Sequence, residues 1–162
     1  MTRKKTNKPI TKRRAARFAA IQALYQIELM GAKPSAVAAE FDDHRLSTLF
    51  EPFLPDEPAP EVDREWFKLV VLGAAEHADA LDRQIAPLLS SGWTIERLSA
   101  PMRALLHCAG FELAHRTDVP TNVVVDEYVE LAFGFFEGGE PGFVNAILDR
   151  LSRVLRPAGP TV

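Results

Sequence analysis

The chain has 162 residues, of which 47% are hydrophobic and 25% are charged, and its formal net charge is −3. This composition is typical of a globular protein, and the length favours one domain over two. The single cysteine, Cys108, excludes an intramolecular disulfide, and no apolar run reaches the ~20 residues of a membrane span. We expect a cytoplasmic protein without a membrane segment.

The charge is distributed unevenly along the chain. Residues 1–27 hold eight of the 19 basic residues and none of the 22 acidic ones. Such a split indicates a polyanion as the partner of the basic segment, and a solubilising disordered tail is the alternative. We predict a disordered tail over residues 1–11, whereas the basic residues after it continue into a helical pattern. The eight basic residues are Arg3, Lys4, Lys5, Lys8, Lys12, Arg13, Arg14 and Arg17.

The first predicted helix begins after Thr11, a suitable N-cap, and ends at Gly31, a suitable C-cap. Its basic residues lie at the end that the helix dipole disfavours for positive charge, which indicates a role in binding. At 100° per residue the helix has two distinct faces. One face carries small residues that allow another helix to approach closely, and the other carries Arg14, Arg17, Ile21 and Tyr25.

The arginine face suggests a nucleic-acid interface. Guanidinium groups bind phosphate, and an aromatic ring can stack on a base. The pattern does not decide the role of Tyr25. A tyrosine that packs in the core with its hydroxyl at the edge of the core fits equally well.

The middle of the chain is predicted to contain a short helix, a loop and a long helix. The short helix covers residues 34–41 and has Pro34 in its first turn. Residues 42–62 are acidic and rich in proline, so we expect a loop or linker. Helical spacing of apolar residues then predicts a helix from Asp63 to about Leu89, with a break near residues 86–87.

Three further helices are predicted in the last third of the chain. The first follows the cap residue Ser99 and is almost wholly apolar over residues 104–111, so we expect it in the core. The second begins after Pro120 and the third begins near Pro141 and ends at Pro157. No alternating strand pattern is found, so the fold class is all-α.

The search for catalytic or metal-binding patterns gives no convincing candidate. The four histidines do not form a metal-binding spacing, and Asp126 with Glu130 is best interpreted as a solvated helix face. The glycine-rich stretch 135–142 lacks a phosphate-loop pattern and carries Glu137 and Glu140, so we interpret it as a turn. We expect no enzymatic activity, no metal and no cofactor.

Three separated stretches resemble the NusB family of bacterial transcription antitermination factors. They are ARFAAIQALYQ (16–26), DEYVELA (126–132) and PGFVNAILD (141–149), and a weaker similarity extends from about residue 12 to residue 157. The resemblance implies one helical RNA-binding domain over residues 12–157, built from about seven helices in two small bundles, followed by a short tail at 158–162. It also implies binding of boxA-type single-stranded RNA together with NusE, a ribosomal small-subunit protein, and an indirect link to transcribing RNA polymerase.

The resemblance also assigns roles to individual residues. It implies that Arg13, Arg14 and Arg17 contact RNA with Lys12 as a helper, and that Tyr25 lies at both the RNA and the NusE surface. Phe143 is implied at the NusE surface, although a hydrophobic staple at the head of the last helix is the alternative.

One departure from the family pattern affects the expected partner surface. Met102 stands before Arg103 where an acidic residue is common, which puts one polar contact to NusE in doubt. An apolar patch near residues 133–136 is suited to NusE or to a second copy of the chain, so a homodimer is also considered.

Two other hypotheses remain open on the sequence. The first is a helical protein-interaction module whose basic arm is incidental. The second is a detached N-terminal domain of a ribosomal RNA cytosine methyltransferase, because the same helical domain occurs there.

Overall fold

A computed structural model describes residues 10–157, and these contain seven α-helices and no strand. The all-α prediction is therefore confirmed. The predicted tail residues 1–9 and 158–162 lie outside the described residues. The helices are α1 (Lys12–Met30), α2 (Pro34–Glu40), α3 (Arg64–Glu76), α4 (Ala78–Ile85), α5 (Ala100–His115), α6 (Thr121–Phe135) and α7 (Glu140–Leu155).

The predicted ends of α1 are confirmed. The Thr11 side chain accepts a hydrogen bond from the Arg14 amide at 3.0 Å, which satisfies a backbone donor of the first turn. Gly31 ends the helix with a positive φ of 62°, a conformation that glycine adopts without steric cost.

Helices α1 and α5 form the centre of the fold. Helix α1 packs against α2, α3 and α5, and α5 packs in addition against α4, α6 and α7. Helix α5 also packs against α3, so it connects the N-terminal helices with α4, α6 and α7, and one hydrophobic core is continuous across it. Every residue of 104–113 is buried, which confirms the core position predicted for this helix.

The segment 42–62 is only partly the predicted loop. Helix α2 continues directly into a π-helical turn, Phe41–Arg45, and hydrogen-bonded turns follow as far as Glu57. The apolar residues of this segment explain the turns. Phe50 is buried, and its ring centroid lies 5.1 Å from that of Phe18 on α1. Apolar packing therefore overrides the proline and acidic composition of the first half of this segment.

The long helix predicted from Asp63 to Leu89 is in fact two helices. Asp63 caps α3 as predicted, since its side chain accepts from the Trp66 amide at 3.0 Å. The chain then leaves the helical conformation at His77 (φ −99°, ψ 9°) before α4 begins. A second break follows at residues 86–88, where the prediction placed it.

Close packing between α3 and α5 predicts a sensitive glycine. A Cβ atom added at Gly73 would lie 2.1 Å from Cε1 of the Phe111 ring. We expect Gly73→Ala to lower the free energy of unfolding by about 1–3 kcal/mol, because the buried ring has to shift. Urea denaturation measures this.

The matched control is Gly134→Ala on α6, where an added Cβ meets no atom within 4 Å. Alanine is the better helix former, so the control should be stabilised by about 0.5–1 kcal/mol. Equal stabilisation of both variants would contradict the proposed contact between α3 and α5.

Candidate nucleic-acid interface

The basic residues at the head of α1 differ in their exposure. Lys12 is exposed, and 46% of the Arg13 side chain is exposed, whereas only 26% of the Arg14 side chain is. The Lys12 carbonyl accepts a hydrogen bond from the Asp63 amide at 3.0 Å, which joins the first turns of α1 and α3. The side chains of Lys12 and Arg13 are therefore exposed to solvent, and a hydrogen bond to α3 holds the backbone that carries them.

Two of these arginines lie close to carboxylates. Arg14 donates from Nε to Glu127 on α6 at 2.6 Å, and this half-buried pair joins α1 to the C-terminal helices. Nε of Arg13 lies 3.9 Å from Asp63, a distance at which the attraction in an exposed position is weak. Arg13 is thus the more available guanidinium of the two for an anion.

Arg17 is buried, unlike Lys12 and Arg13, and this corrects its predicted role as an RNA contact. Only 2% of its side chain is exposed, and it donates from Nε and Nη2 to the two carboxylate oxygens of Glu112, both at 2.9 Å. The Tyr128 hydroxyl donates to the same carboxylate. Arg17 therefore joins α1, α5 and α6 inside the core, and its guanidinium is unavailable to RNA.

The ionisation of this buried group follows from its surroundings. Burial by itself lowers the pKa of Arg17, but the hydrogen bonds to Glu112 and its negative charge outweigh burial, so the pKa is raised. Burial and then the charge of Glu112 raise the pKa of the Tyr128 hydroxyl well above its ordinary value. Arg17 is therefore charged and Tyr128 is neutral at neutral pH.

Trp66 on α3 is a component of this surface that the sequence did not indicate. The guanidinium carbon of Arg13 lies 4.0 Å from the ring centroid, and that of Arg116, between α5 and α6, lies 4.8 Å from it. These distances are within the range of cation–π attraction. The indole is buried, and within residues 10–157 its Nε1 has no hydrogen-bond partner.

Tyr25 and Phe143, the predicted aromatic contacts, are both half-buried against the core. Phe143 lines a groove of about 430 Å³ that also contains Trp93 and Met102. Tyr25 is not part of this groove. Met102 also lines this groove, but its side chain is buried, with 4% exposed.

The apolar patch predicted near residues 133–136 is present only in part. Phe133 is 46% exposed, but Phe135 and Phe136 are half-buried. The Phe135 ring stacks on Phe18 of α1, with 5.1 Å between the ring centroids. The Phe135 ring therefore packs inside the chain, although the sequence predicted it in a surface for NusE or a second copy.

Arg156 at the end of α7 holds the turn between α5 and α6. Its guanidinium donates to the carbonyls of Glu112, Leu113, Arg116 and Val119 at 2.7–3.1 Å. The first two of these carbonyls belong to the last turn of α5, and the Glu112 carbonyl accepts from the Arg116 amide as well. Arg156 thus fixes the backbone that carries Arg116.

We expect Arg156→Ala to destabilise the protein by about 2 kcal/mol, because four partly buried carbonyls lose a charged donor. In a thermal unfolding experiment this corresponds to a decrease in Tm of about 4–8 °C. Arg156→Lys should restore little, since an ammonium group lacks the planar fork that reaches all these acceptors. Full restoration by lysine would show that only the charge matters.

Within residues 10–157, no three His, Cys, Asp or Glu side chains are grouped so that they could hold a metal ion. The helices of the same region include none that is long and apolar enough to cross a membrane.

Comparison with known proteins identifies the family. The family model described as "NusB family" matches residues 14–153. The chain belongs to the NusB family. A NusB protein from Maricaulis maris, named "Transcription antitermination protein NusB", is 47% identical over 148 residues, which cover 90% of this chain and 88% of the relative.

Solved NusB structures share the fold. The structure of T. maritima NusB superposes with a TM-score of 0.71 at 27% identity, covering 91% of this chain and 94% of that one. A second structure contains NusB and NusE in complex with double-stranded RNA. Its matching chain has a TM-score of 0.67 at 23% identity, with coverage of 87% of this chain and 96% of that one.

Proposed function

We propose that this NusB-family chain is a non-enzymatic transcription antitermination factor that binds boxA-type single-stranded RNA together with NusE. In this proposal it acts in the cytoplasm, supports transcription of ribosomal RNA and reaches RNA polymerase through that complex. The observation that carries the proposal is the exposed pair Lys12 and Arg13 at the head of α1. The name of the Maricaulis maris relative supports the antitermination role, and the solved complex of NusB and NusE with double-stranded RNA supports binding of RNA and NusE.

The electrostatics of the α1 head suit an RNA backbone. Lys12 and Arg13 are exposed, and Arg14 lies beside them in the same turn. Contacts between such residues and phosphates supply affinity, because binding releases condensed counterions, but they do not distinguish sequences. Selectivity for boxA therefore requires base contacts, for which the half-buried ring of Tyr25 is our candidate.

The groove beside Phe143 is our candidate for the NusE contact. It is lined by Trp93, Leu98 and Met102 as well as Phe143, and the Arg97 guanidinium lies 5.0 Å from the Trp93 ring centroid. Half-exposed aromatic residues in a concave surface are typical anchors of protein interfaces. Arg97 supplies a charged rim beside this apolar floor.

Fluorescence anisotropy of a labelled boxA-like single-stranded RNA tests the proposal. The chain is titrated with and without NusE, and a scrambled RNA of the same length is the control. We expect tighter binding to the boxA-like RNA and a further increase in affinity with NusE. Equal, weak binding to both RNAs that NusE does not change would leave only an incidental basic arm.

The same titration can be combined with a test of self-association. A second copy of the chain is a candidate occupant of the apolar surface near residues 133–136, where Phe133 is exposed. Analytical ultracentrifugation with and without NusE measures both assemblies. A dimer that dissociates when NusE is added would show that the two partners use overlapping surfaces.

A further inference from the structure

Arg116 stands at a fixed position directly after α5. Its amide donates to the Glu112 carbonyl at 2.9 Å, and its own carbonyl accepts from the Val119 amide at 3.0 Å and from Arg156 at 2.8 Å. A binding group on so constrained a backbone loses little conformational freedom when a ligand arrives. This turn is therefore a suitable platform for a binding residue.

The side chain of Arg116 is directed to the same ring as Arg13. Their guanidinium carbons lie 4.8 Å and 4.0 Å from the Trp66 centroid. The two carbons are thus at most about 9 Å apart, which is comparable with the Debye length of about 8 Å at physiological salt, so their fields add. Trp66 brings together two arginines that are distant in the sequence.

The carboxylate of Asp118 pairs with only part of the Arg116 guanidinium group. Arg116 donates from Nε to Oδ1 of Asp118 at 2.9 Å and from Nη2 to Oδ2 at 2.8 Å, and Nη1 takes no part in this pair. Asp118 is exposed, with 59% of its side chain accessible, so the ion pair is well solvated and an anion can compete for it.

Both Arg116 and Arg13 affect the pKa of the Asp118 carboxyl group. The hydrogen bonds from Arg116 are the main cause that lowers the pKa of Asp118, and the positive charges of Arg116 and Arg13 act in the same direction. The field of Arg13 therefore reaches the turn between α5 and α6. An anion placed between the two guanidinium groups would experience both charges.

We propose that Arg116 is a second phosphate-binding residue, which acts with Arg13 across Trp66 on one RNA strand. This inference rests on the proposed RNA-binding function and extends the RNA surface from the head of α1 to the turn between α5 and α6. The planar guanidinium suits phosphate oxygens, and its remaining N–H groups supply the donors. In this arrangement Trp66 and Arg156 are positioning residues that do not touch the RNA.

The salt dependence of RNA binding by Arg116→Gln tests the inference. The probe is the labelled boxA-like single-stranded RNA, titrated at several salt concentrations in the presence of NusE. We expect about fivefold weaker binding near 0.1 M salt and a log–log slope that is shallower by about 0.7, the value for one single-strand phosphate contact. The matched control is Arg83→Gln, an exposed arginine on α4, which should keep the wild-type slope.

Asp118→Asn should increase the affinity for RNA, whereas Arg116→Gln should decrease it. A variant that fails to fold would not bind RNA more tightly. Removal of the competing carboxylate should strengthen RNA binding about threefold. Arg116→Lys keeps the positive charge and should keep the salt slope, while the loss of the planar fork weakens binding. Circular dichroism confirms that each variant is helical before it is titrated.

The outcomes separate the two proposals. Wild-type protein that binds the RNA selectively, combined with equal slopes for Arg116→Gln and Arg83→Gln, would overturn the role of Arg116 and leave the antitermination proposal intact. Wild-type protein that does not discriminate between the boxA-like and scrambled RNAs would overturn both. Selective binding with a shallower slope for Arg116→Gln alone would support both.

Discussion

Replacing Arg17 by methionine is expected to lower the free energy of unfolding by about 3–5 kcal/mol, because the substitution leaves an uncompensated buried carboxylate. Arg17 is 2% exposed and Glu112 is fully buried, so water cannot replace the lost partner. The hydroxyl of Tyr128 remains as a donor to Glu112, but one neutral donor does not balance a negative charge. Urea denaturation, followed by circular dichroism, measures the change.

The control for this prediction is Arg153→Met. Arg153 also donates to an aspartate, Asp149 at 2.8 Å, but both side chains are largely exposed on α7. Exposed ion pairs between residues four apart contribute only about 0.3–0.5 kcal/mol, so this variant should be nearly as stable as the wild type. The comparison separates the effect of burial from the loss of an arginine.

The double variant Arg17→Met, Glu112→Leu removes both buried charges. We expect it to be more stable than Arg17→Met, since apolar residues can replace a buried ion pair at little cost. A loss below about 1 kcal/mol in Arg17→Met would contradict the buried pair. It would also restore Arg17 as a candidate RNA contact, because only an accessible guanidinium would be so easily replaced.

Arg17 shows why the site could be predicted only in part from the sequence. The helical wheel places Arg17 beside Arg14 on one face, and this is correct as local geometry. Its partner Glu112 is 95 residues away, and the two are brought together only by the packing of α1 on α5. Periodicity indicates which residues share a face, but it cannot show what covers that face.

The elements with local signals were predicted well. Thr11, Asp63 and Ser99 act as N-caps in the structure, since each side chain accepts from a backbone amide three residues later. The break at His77 was missed, because neither proline nor glycine occurs at that position to indicate it. The buried residues after α2 were missed because the proline-rich composition favoured a loop.

Trp66 and Arg116 were missed for a similar reason. Arg116 is an isolated basic residue in AHRTDVP (114–120), and Trp66 fits the apolar spacing of α3, so neither pattern indicates a binding surface. Only the fold places both beside Arg13. A tertiary arrangement of this kind has no signal in a single sequence.

Replacing Lys12, Arg13 and Arg14 together by glutamine is expected to weaken binding of boxA-like RNA by about 30- to 100-fold near 0.1 M salt. The log–log slope should become shallower by about 2, which corresponds to three single-strand phosphate contacts. Anisotropy titrations at several salt concentrations measure both quantities. Stability should change little, because Lys12 and Arg13 are exposed and the pair of Arg14 with Glu127 is only half-buried.

The control has the same change in net charge on another part of the surface, through glutamine at Arg83, Arg150 and Arg153. All three are exposed and lie on α4 and α7. If affinity depends on position, this variant keeps most of its binding and its slope. Equal losses in both triple variants would contradict a localised interface, because attraction by overall charge does not distinguish one end of α1 from the rest of the surface.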